Sequence, residues 1–305
     1  MTNPMAFWEQ PVTVRVPATS ANLGPGFDSM GLALELFDEV SAVVTSGVGT
    51  IVVEGEGAGE LALDDSHLVI ATMHKTFAAM NIAAPIVGLH CVNTIPQARG
   101  LGSSSAAIVA GALLARGLVV DGDQLLSDQD LLQFVVDLEG HPDNVAPCLL
   151  GGLVLSWGNP VHSLNRQIHE SIKPTVFISA FNVKTEHARA ILPDHIWHHD
   201  AAMNSARAAL LMDALTRDPS NLFDATVDYL HQEQRRPAMP ASLELMDRLR
   251  LAGVPATISG AGPSVLALAV SAEHETAIAQ IASASPDFSA LALPVSPAGA
   301  AIISG

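Results

Sequence analysis

The sequence predicts an α+β protein in two domains, and three observations carry that reading. Short β-branched runs repeat at period two, and apolar residues recur between them at helical spacing. After about residue 171 the order changes to a strand, a block of helices, a tight pair of strands, a helix and a last strand, which has split β-α-β character. The chain has 305 residues, about twice a common domain size, and is 49 % hydrophobic, enough for two cores. The boundary is placed near residue 160, giving units 1–160 and 161–305.

The elements follow in order. Val12, Val14 and Val16 alternate on one face of a first strand, which Pro17 is expected to end; a loop from Ala18 to Gly31 follows. Val40–Thr45 and Thr50–Val53 read as a hairpin around Gly47 and Gly49. Ile70, Met73, Phe77 and Met80 predict a helix over 65–80, and 86–94 returns to strand. A strong helix former begins near Ser105, with Ser103 or Ser104 as N-cap and Gly117 at its far end. Ser127 and Asp130 stand at capping-box spacing before a helix over 128–138, followed by His141-Pro142-Asp143-Asn144 as a loop. In the second half a strand (175–181), helices (200–217, 220–232 and one ending near Gly253), strands flanking 259–264, a helix (272–282) and a strand (291–295) are expected.

Composition narrows the function. The 14 basic and 31 acidic residues leave a net charge of −17, which repels phosphate backbones and anionic lipid and argues against nucleic-acid and membrane partners. The first residues lack the basic start and apolar run of a signal peptide, and the longest stretch free of charged residues and histidine, 251–272, is broken by three glycines and two prolines. Two cysteines, Cys91 and Cys148, form no C-x-x-C pair, and buried inert thiols in a reducing cytoplasm fit them. His187, His195, His198 and His199 beside Asp200 have no metal-site spacing and read as a solvated group.

Three glycine-rich loops carry the chemistry. Gly100-Leu101-Gly102-Ser103-Ser104-Ser105 places two glycines and three hydroxyls at a helix start, where free N–H groups and the helix dipole suit a phosphate. Asn22-Leu23-Gly24-Pro25-Gly26-Phe27-Asp28 joins an amide and a carboxylate to conformational specialists, and Ser259-Gly260-Ala261-Gly262-Pro263-Ser264 is a third tight turn. None of the lysines (Lys75, Lys173, Lys184) follows a glycine, so there is no Walker A loop. G-x-G-x-x-G and G-x-S-x-G are absent as well. Phosphate binding must then rest on backbone amides, hydroxyls and a metal.

Four segments in this order, Pro17 to Asp28, Pro96 to Ala106, His141 to Pro147 and Ser259 to Ser264, make the whole chain similar to the homoserine kinase family of the GHMP small-molecule kinases. The second and fourth segments are shared across the superfamily; the first and third are more particular to homoserine kinases. The resemblance implies the two-domain GHMP kinase fold, with a ribosomal-S5-like amino-terminal domain and a ferredoxin-like carboxy-terminal domain. It implies ATP-dependent phosphorylation of the L-homoserine hydroxyl to O-phospho-L-homoserine, a step toward threonine, by a cytoplasmic homodimer.

Residue by residue, the resemblance assigns the ATP phosphates to Pro96, Gln97, Ala98, Arg99, Gly100, Leu101, Gly102, Ser103, Ser104, Ser105 and Ala106, and Mg²⁺ to Ser104 and Glu139. Homoserine is a zwitterion with a primary alcohol, so its site needs a cation, an anion or amide, and a group that orients the hydroxyl. Arg189 and Arg235 match the family's carboxylate-binding arginines, with Arg236 a rival for the second. Asn22 and Asp28 would hold the ammonium, and Asn144 and His141 would orient the hydroxyl, so that Asn144, His141 and Arg189 are the catalytic set. The hydroxyl proton passes to the γ-phosphate or to Asp143, and the reading favours Asp143 as a support. Two other readings are a GHMP kinase acting on another small alcohol and a sensor that binds without turnover.

Overall fold

In the computed structural model, residues 7–183 and 185–304 are described. Residues 1–6, part of the segment read as lacking a signal-peptide pattern, lie outside them. Strand β1 (Val12–Ala21) does not stop at Pro17; it runs four residues further, because Pro17 sits where the ladder shifts register and its missing N–H costs no bond. Its partner β2 (Met30–Val44) is 15 residues long. The expected hairpin between β2 and β3 (Ile51–Gly55) does not form. After α1 (Leu68–Ala79), strand β4 (Val87–Asn93) inserts between them, antiparallel to β2 and parallel to β3. A parallel pair needs a crossover, and α1 supplies it.

Helix α2 (Ser103–Leu118) is followed by the single turn α3 (Gly122–Leu125) and by α4 (Asp128–Glu139). Ser127 caps α4 as expected, accepting from the Asp130 amide at 3.2 Å. The segment read as a loop, 141–144, instead starts helix α5 (Pro142–Leu150), with Pro142 at a first-turn position where its missing N–H is harmless. A hairpin of β5 (Leu153–Trp157) and β6 (His162–Arg166) spans residue 160 and joins the far half of β2.

The second sheet begins with β7 (Lys173–Ser179), and α6 (Thr185–Ala190) and α7 (His198–Thr216) follow. Where a helix over 220–232 was expected, there is a 3₁₀ turn (Pro219–Asn221), the short α8 (Leu222–Ala225) and a bend. The Asp228 carboxylate makes that bend by accepting the Leu230, His231 and Gln232 amides at 3.0, 2.9 and 2.7 Å. A 3₁₀ turn (Glu233–Ala238), α9 (Pro240–Leu251), β8 (Ala256–Ile258), β9 (Val265–Ala269), α10 (Ala272–Ser283) and β10 (Phe288–Ala292) follow. The last expected strand starts three residues early, since Pro294 closes its far end. An unexpected strand, β11 (Ala301–Ser304), returns to β1.

The first sheet therefore has the order β11-β1-β2-β4-β3, with β5 and β6 attached through β2. The second has the order β10-β7-β9-β8, a split β-α-β arrangement. Val14, Val16, Leu32 and Leu89 of the first sheet bury against Met73 and Phe77 of α1 and Val109 and Leu114 of α2. Each such side chain contributes roughly 1.5–3 kcal/mol. A second core joins Phe177, Ile258 and Val265 to Leu243 and Leu249 of α9. No helix among the described residues is long and apolar enough to cross a membrane.

Candidate active site

Four chain segments meet between the sheets: the end of β1, the start of α2, the start of α5 and the β8–β9 turn. They are tied directly. The Thr19 amide donates to the Leu101 carbonyl at 3.0 Å, the Gly260 amide to Ala21 at 3.1 Å, and Ser259 Oγ to the Gly100 carbonyl at 2.7 Å. The segment before α2 is tightly wound, with Ala98, Gly100 and Gly102 at φ 53°, 75° and 71°. A side chain at Gly100 would run into the Ser259 carbonyl, and one at Gly102 into the Thr19 hydroxyl. Gly102, not a serine, is the N-cap of α2, and no side chain caps that end. The serine chosen from sequence is displaced by one residue because the left-handed turn at Gly102 already redirects the chain. The start of α2 consequently keeps free N–H groups and a positive dipole end.

These N–H groups edge a polar cavity of about 380 Å³, whose wall includes the loop from Ala98 to Ser105, Glu139, His141, Asn144, Arg189 and Arg235. The structure gathers most of the residues singled out from sequence here. Pro96, Gln97 and Ala106 are exceptions on this wall, and Asp28 joins the site through its partner Arg189. The hydroxyl bonded to Glu139 is that of Ser105, at 2.7 Å; Ser104 is exposed beside it. Arg99 turns away from the phosphate loop's centre and donates to the carbonyls of Ser179 and Ala180 at 2.8 and 3.1 Å, joining the loop to the end of β7.

At the opposite end, Asn22 is buried and holds its own loop to the Ser259–Ser264 turn. Its Nδ2 donates to Gly260 O at 2.9 Å, and its Oδ1 accepts from the Asp28 amide at 3.0 Å. Asn22, Leu23 and Asp28 all adopt left-handed backbone, at φ 68°, 51° and 54°. Arg189 binds the Asp28 carboxylate bidentately, and this hydrogen bond leads the effects that raise the guanidinium's pKa.

Arg235 is 1 % exposed and has no carboxylate within bonding distance among the described residues; it donates to Ala188 O at 3.0 Å and to His231 Nδ1 at 2.9 Å. Burial, aided by Arg189, brings its pKa down to about 10, so it stays charged at neutral pH. His231 Nε2 donates to Gly24 O at 2.9 Å, which fixes the neutral tautomer that can accept from Arg235. Phe27 stacks on His231 at 4.9 Å and lies 5.6 Å from each of the two guanidinium carbons. Arg236, the rival, is taken up by Glu233 at 2.7 Å and Asp247 at 3.0 Å. A cation buried without its own anion is an incomplete arrangement that an anionic ligand completes.

At the start of α5, the Thr19 hydroxyl donates to Asn144 Oδ1 at 2.7 Å, and His141 Nδ1 pairs with Asp143 Oδ1 at 2.6 Å. Burial alone would lower the His141 pKa, but the hydrogen bond and charge of Asp143 prevail and raise it. Asp143 is 2 % exposed, and its ligand atoms lie within 4.8 Å of those of Asp28 and His141. A second cavity, of about 240 Å³ and mostly aliphatic, opens beside the first and shares Ala98, Ser103 and Ser104 with it.

The amino-terminal domain pattern of GHMP kinases matches residues 67–152, and the carboxy-terminal pattern of GHMP kinases matches 202–287. A homoserine kinase of Streptomyces avermitilis is 50 % identical over 266 residues, 87 % of each chain. One of Streptomyces coelicolor is 47 % identical over 300 residues, 98 % of this chain and 96 % of that one. The chain belongs to the homoserine kinase family. The crystal structure of homoserine kinase from Cytophaga hutchinsonii superimposes with a TM-score of 0.83 at 27 % identity, covering 99 % of this chain and 100 % of that one. Membership in the homoserine kinase family makes this a phosphate-transferring enzyme of the GHMP fold. The three loops and the α5 start, which point to the homoserine kinases in sequence, are the segments that converge.

Thr19 and Glu186 also belong to this site or its immediate support. The sequence signal for Thr19 is only its place within the Pro17–Asp28 segment; Glu186 had none.

Proposed function

We propose that this protein transfers the γ-phosphoryl group of ATP to the hydroxyl of L-homoserine, giving O-phospho-L-homoserine and ADP. The observation that carries the reading is the pairing of two cavities across the start of α2: an aliphatic one for the nucleoside, and a polar one with both charges of an amino acid answered at its far end. Residues 1–160 supply the nucleotide loops, and 161–305 supply Arg189, Arg235 and the Gly260 turn.

The amides of Ser103 to Ser105 bind the phosphates at the positive end of α2. Arg235, with Arg189, takes the substrate carboxylate, while Asp28 and Asn22 take the ammonium. The substrate's two charges thereby replace the Arg189–Asp28 contact with a four-membered set of alternating charges. Glu139, with the Ser104 and Ser105 hydroxyls, offers the hard oxygen donors that suit Mg²⁺, which when bound neutralises charge on the phosphates. Asn144, held by Thr19, and His141, held by Asp143, fix the hydroxyl for in-line attack. The O–P bond to homoserine forms as the bond to the ADP oxygen breaks, and the hydroxyl proton leaves with the transferred phosphoryl group. Asp143, already bonded to His141, orients the imidazole and does not take that proton. The enzyme works in the cytoplasm as a homodimer.

ADP release over homoserine, mevalonate and galactose tests the substrate: turnover with homoserine alone is expected. Turnover with another alcohol in preference would assign a different GHMP substrate. Tight ATP binding without homoserine-dependent turnover would assign a sensor.

A further inference from the structure

His231 is fully buried and lies in the bend between α8 and the 3₁₀ turn Glu233–Ala238, outside every helix and strand. Both of its ring nitrogens are nevertheless committed, and in opposite senses. Nε2 donates to Gly24 O at 2.9 Å, and Nδ1 stands 2.9 Å from Arg235 Nη1. The ring also stacks on Phe27, with 27° between the planes. Gly24 and Phe27 belong to the loop that carries Asn22 and Asp28, more than 200 residues away in the chain. That loop lies directly on the segment before His231, since a side chain at Gly24 would come within 2.7 Å of the Thr226 carbonyl. One imidazole therefore joins the loop that offers an anion to the arginine that offers a cation.

The chemistry of the pair explains why a histidine serves here. A guanidinium has only donors, so a buried one must be held by acceptors. The three that hold Arg235 are all uncharged: Ala188 O, Gly260 O at 3.4 Å and His231 Nδ1. A carboxylate in place of the ring would grip Arg235 at least as firmly, but would cancel the charge that an anionic ligand has to meet. A neutral imidazole orients without neutralising. It can do so only as the tautomer with hydrogen on Nε2, and the Gly24 carbonyl selects that tautomer. The charged groups around the ring are Arg235 on one side and Asp228 and Asp28 on the other, and burial, the largest influence, lowers its pKa and keeps it neutral.

We propose that His231 is a positioning residue for homoserine: Nδ1 aims the Arg235 guanidinium at the substrate carboxylate, and Nε2 ties that aim to the loop bearing Asn22 and Asp28. The sites for the two charges of the amino acid are thereby held at a fixed separation. This deepens the homoserine reading above and rests on it.

Steady-state kinetics on four variants tests it. His231→Phe keeps the stacking on Phe27 and removes both nitrogens; His231→Leu serves if that variant does not fold. His231→Gln keeps one neutral donor and one neutral acceptor. Arg235→Met removes the guanidinium, and the fourth variant combines it with His231→Phe. His231→Phe is expected to raise the homoserine KM about tenfold or more, while kcat stays within about threefold and the ATP KM within about twofold. His231→Gln recovers most of the loss. In the Arg235→Met background, where there is no guanidinium left to aim, His231→Phe adds less than about twofold. An unchanged homoserine KM in His231→Phe, a parallel loss in kcat and both KM values, or full additivity with Arg235→Met would overturn the role of His231. Failure of wild type to phosphorylate homoserine, or an unchanged homoserine KM in Arg235→Met, would instead overturn the substrate reading beneath it.

Discussion

Arg189 grips Asp28 with both terminal nitrogens, Nη1 to Oδ2 at 3.1 Å and Nη2 to Oδ1 at 2.5 Å, although 161 residues separate them in the chain. Both side chains are about one-third exposed, at 33 % and 35 %, so a small zwitterion has access to the pair. The contact matches an amino acid's own two charges in mirror image. Arg189→Ala should raise the homoserine KM about tenfold to a hundredfold, the range for losing a charge-assisted hydrogen bond, with the ATP KM nearly unchanged. Steady-state kinetics with each substrate varied in turn checks it.

The His141–Asp143 pair predicts a pH dependence of stability. The folded pKa of His141 is raised above its unfolded value, so its stabilisation is fully present below about pH 6.5 and fades as pH rises through the folded pKa. Asp143→Asn removes the charge that raises it. Urea midpoints of wild type should therefore fall toward those of the variant on going from acid to mildly alkaline pH. The same variant tests the chemistry. A pH–rate profile that lost its acidic limb, with the homoserine KM unchanged, would make Asp143 the proton acceptor.

Asp38 behaves in the opposite sense from a salt-bridged carboxylate. Burial, only partly offset by the Ile95 and Thr94 amides, raises its pKa from 3.8 to about 6. The folded state thus favours the protonated form: the group's contribution is most favourable below pH 3.8 and is lost as pH rises through about 6. Asp38→Asn, which keeps an acceptor for both amides, should be more stable than wild type by roughly 2–3 kcal/mol at neutral pH, with the difference vanishing in acid. Thermal melts across that range decide it.

Gly102 couples two parts of the site. A methyl group there would displace the Thr19 hydroxyl, which in turn holds Asn144 at 2.7 Å. Gly102→Ala should destabilise the fold by about 1–3 kcal/mol through left-handed strain and the collision. It should also lower kcat and raise the ATP KM together, because the helix start and the hydroxyl-orienting amide move as one. A change confined to the homoserine KM would contradict that coupling.

Much of the local structure was legible in the sequence. The period of Ile70, Met73 and Phe77 located α1, and Ser127 with Asp130 located the start of α4. What escaped depends on distant partners. Nothing in Thr50–Val53 says that β4 will slide between it and β2, and the exposed Ala301–Ser304 carries no burial pattern of its own. The site divides in the same way. Gly100 and Gly102 stood out because glycines permit left-handed backbone and close approach, and Asn22 and Asp28 because an amide and a carboxylate stand in a glycine-rich loop. Which of three consecutive serines meets Glu139 depends on the rotation of α2 against α4, which spacing does not encode.

The pairing of β11 with β1 has a bearing on synthesis. Thr13 faces Ser304 and Val14 faces Ile302, so the outer edge of a strand made among the first twenty or so residues is covered by one made almost three hundred residues later. While a ribosome is still translating the intervening stretch, that edge is unpaired and open to a stray strand. The amino-terminal sheet therefore gains its last edge strand only after residues 301–304 have been made.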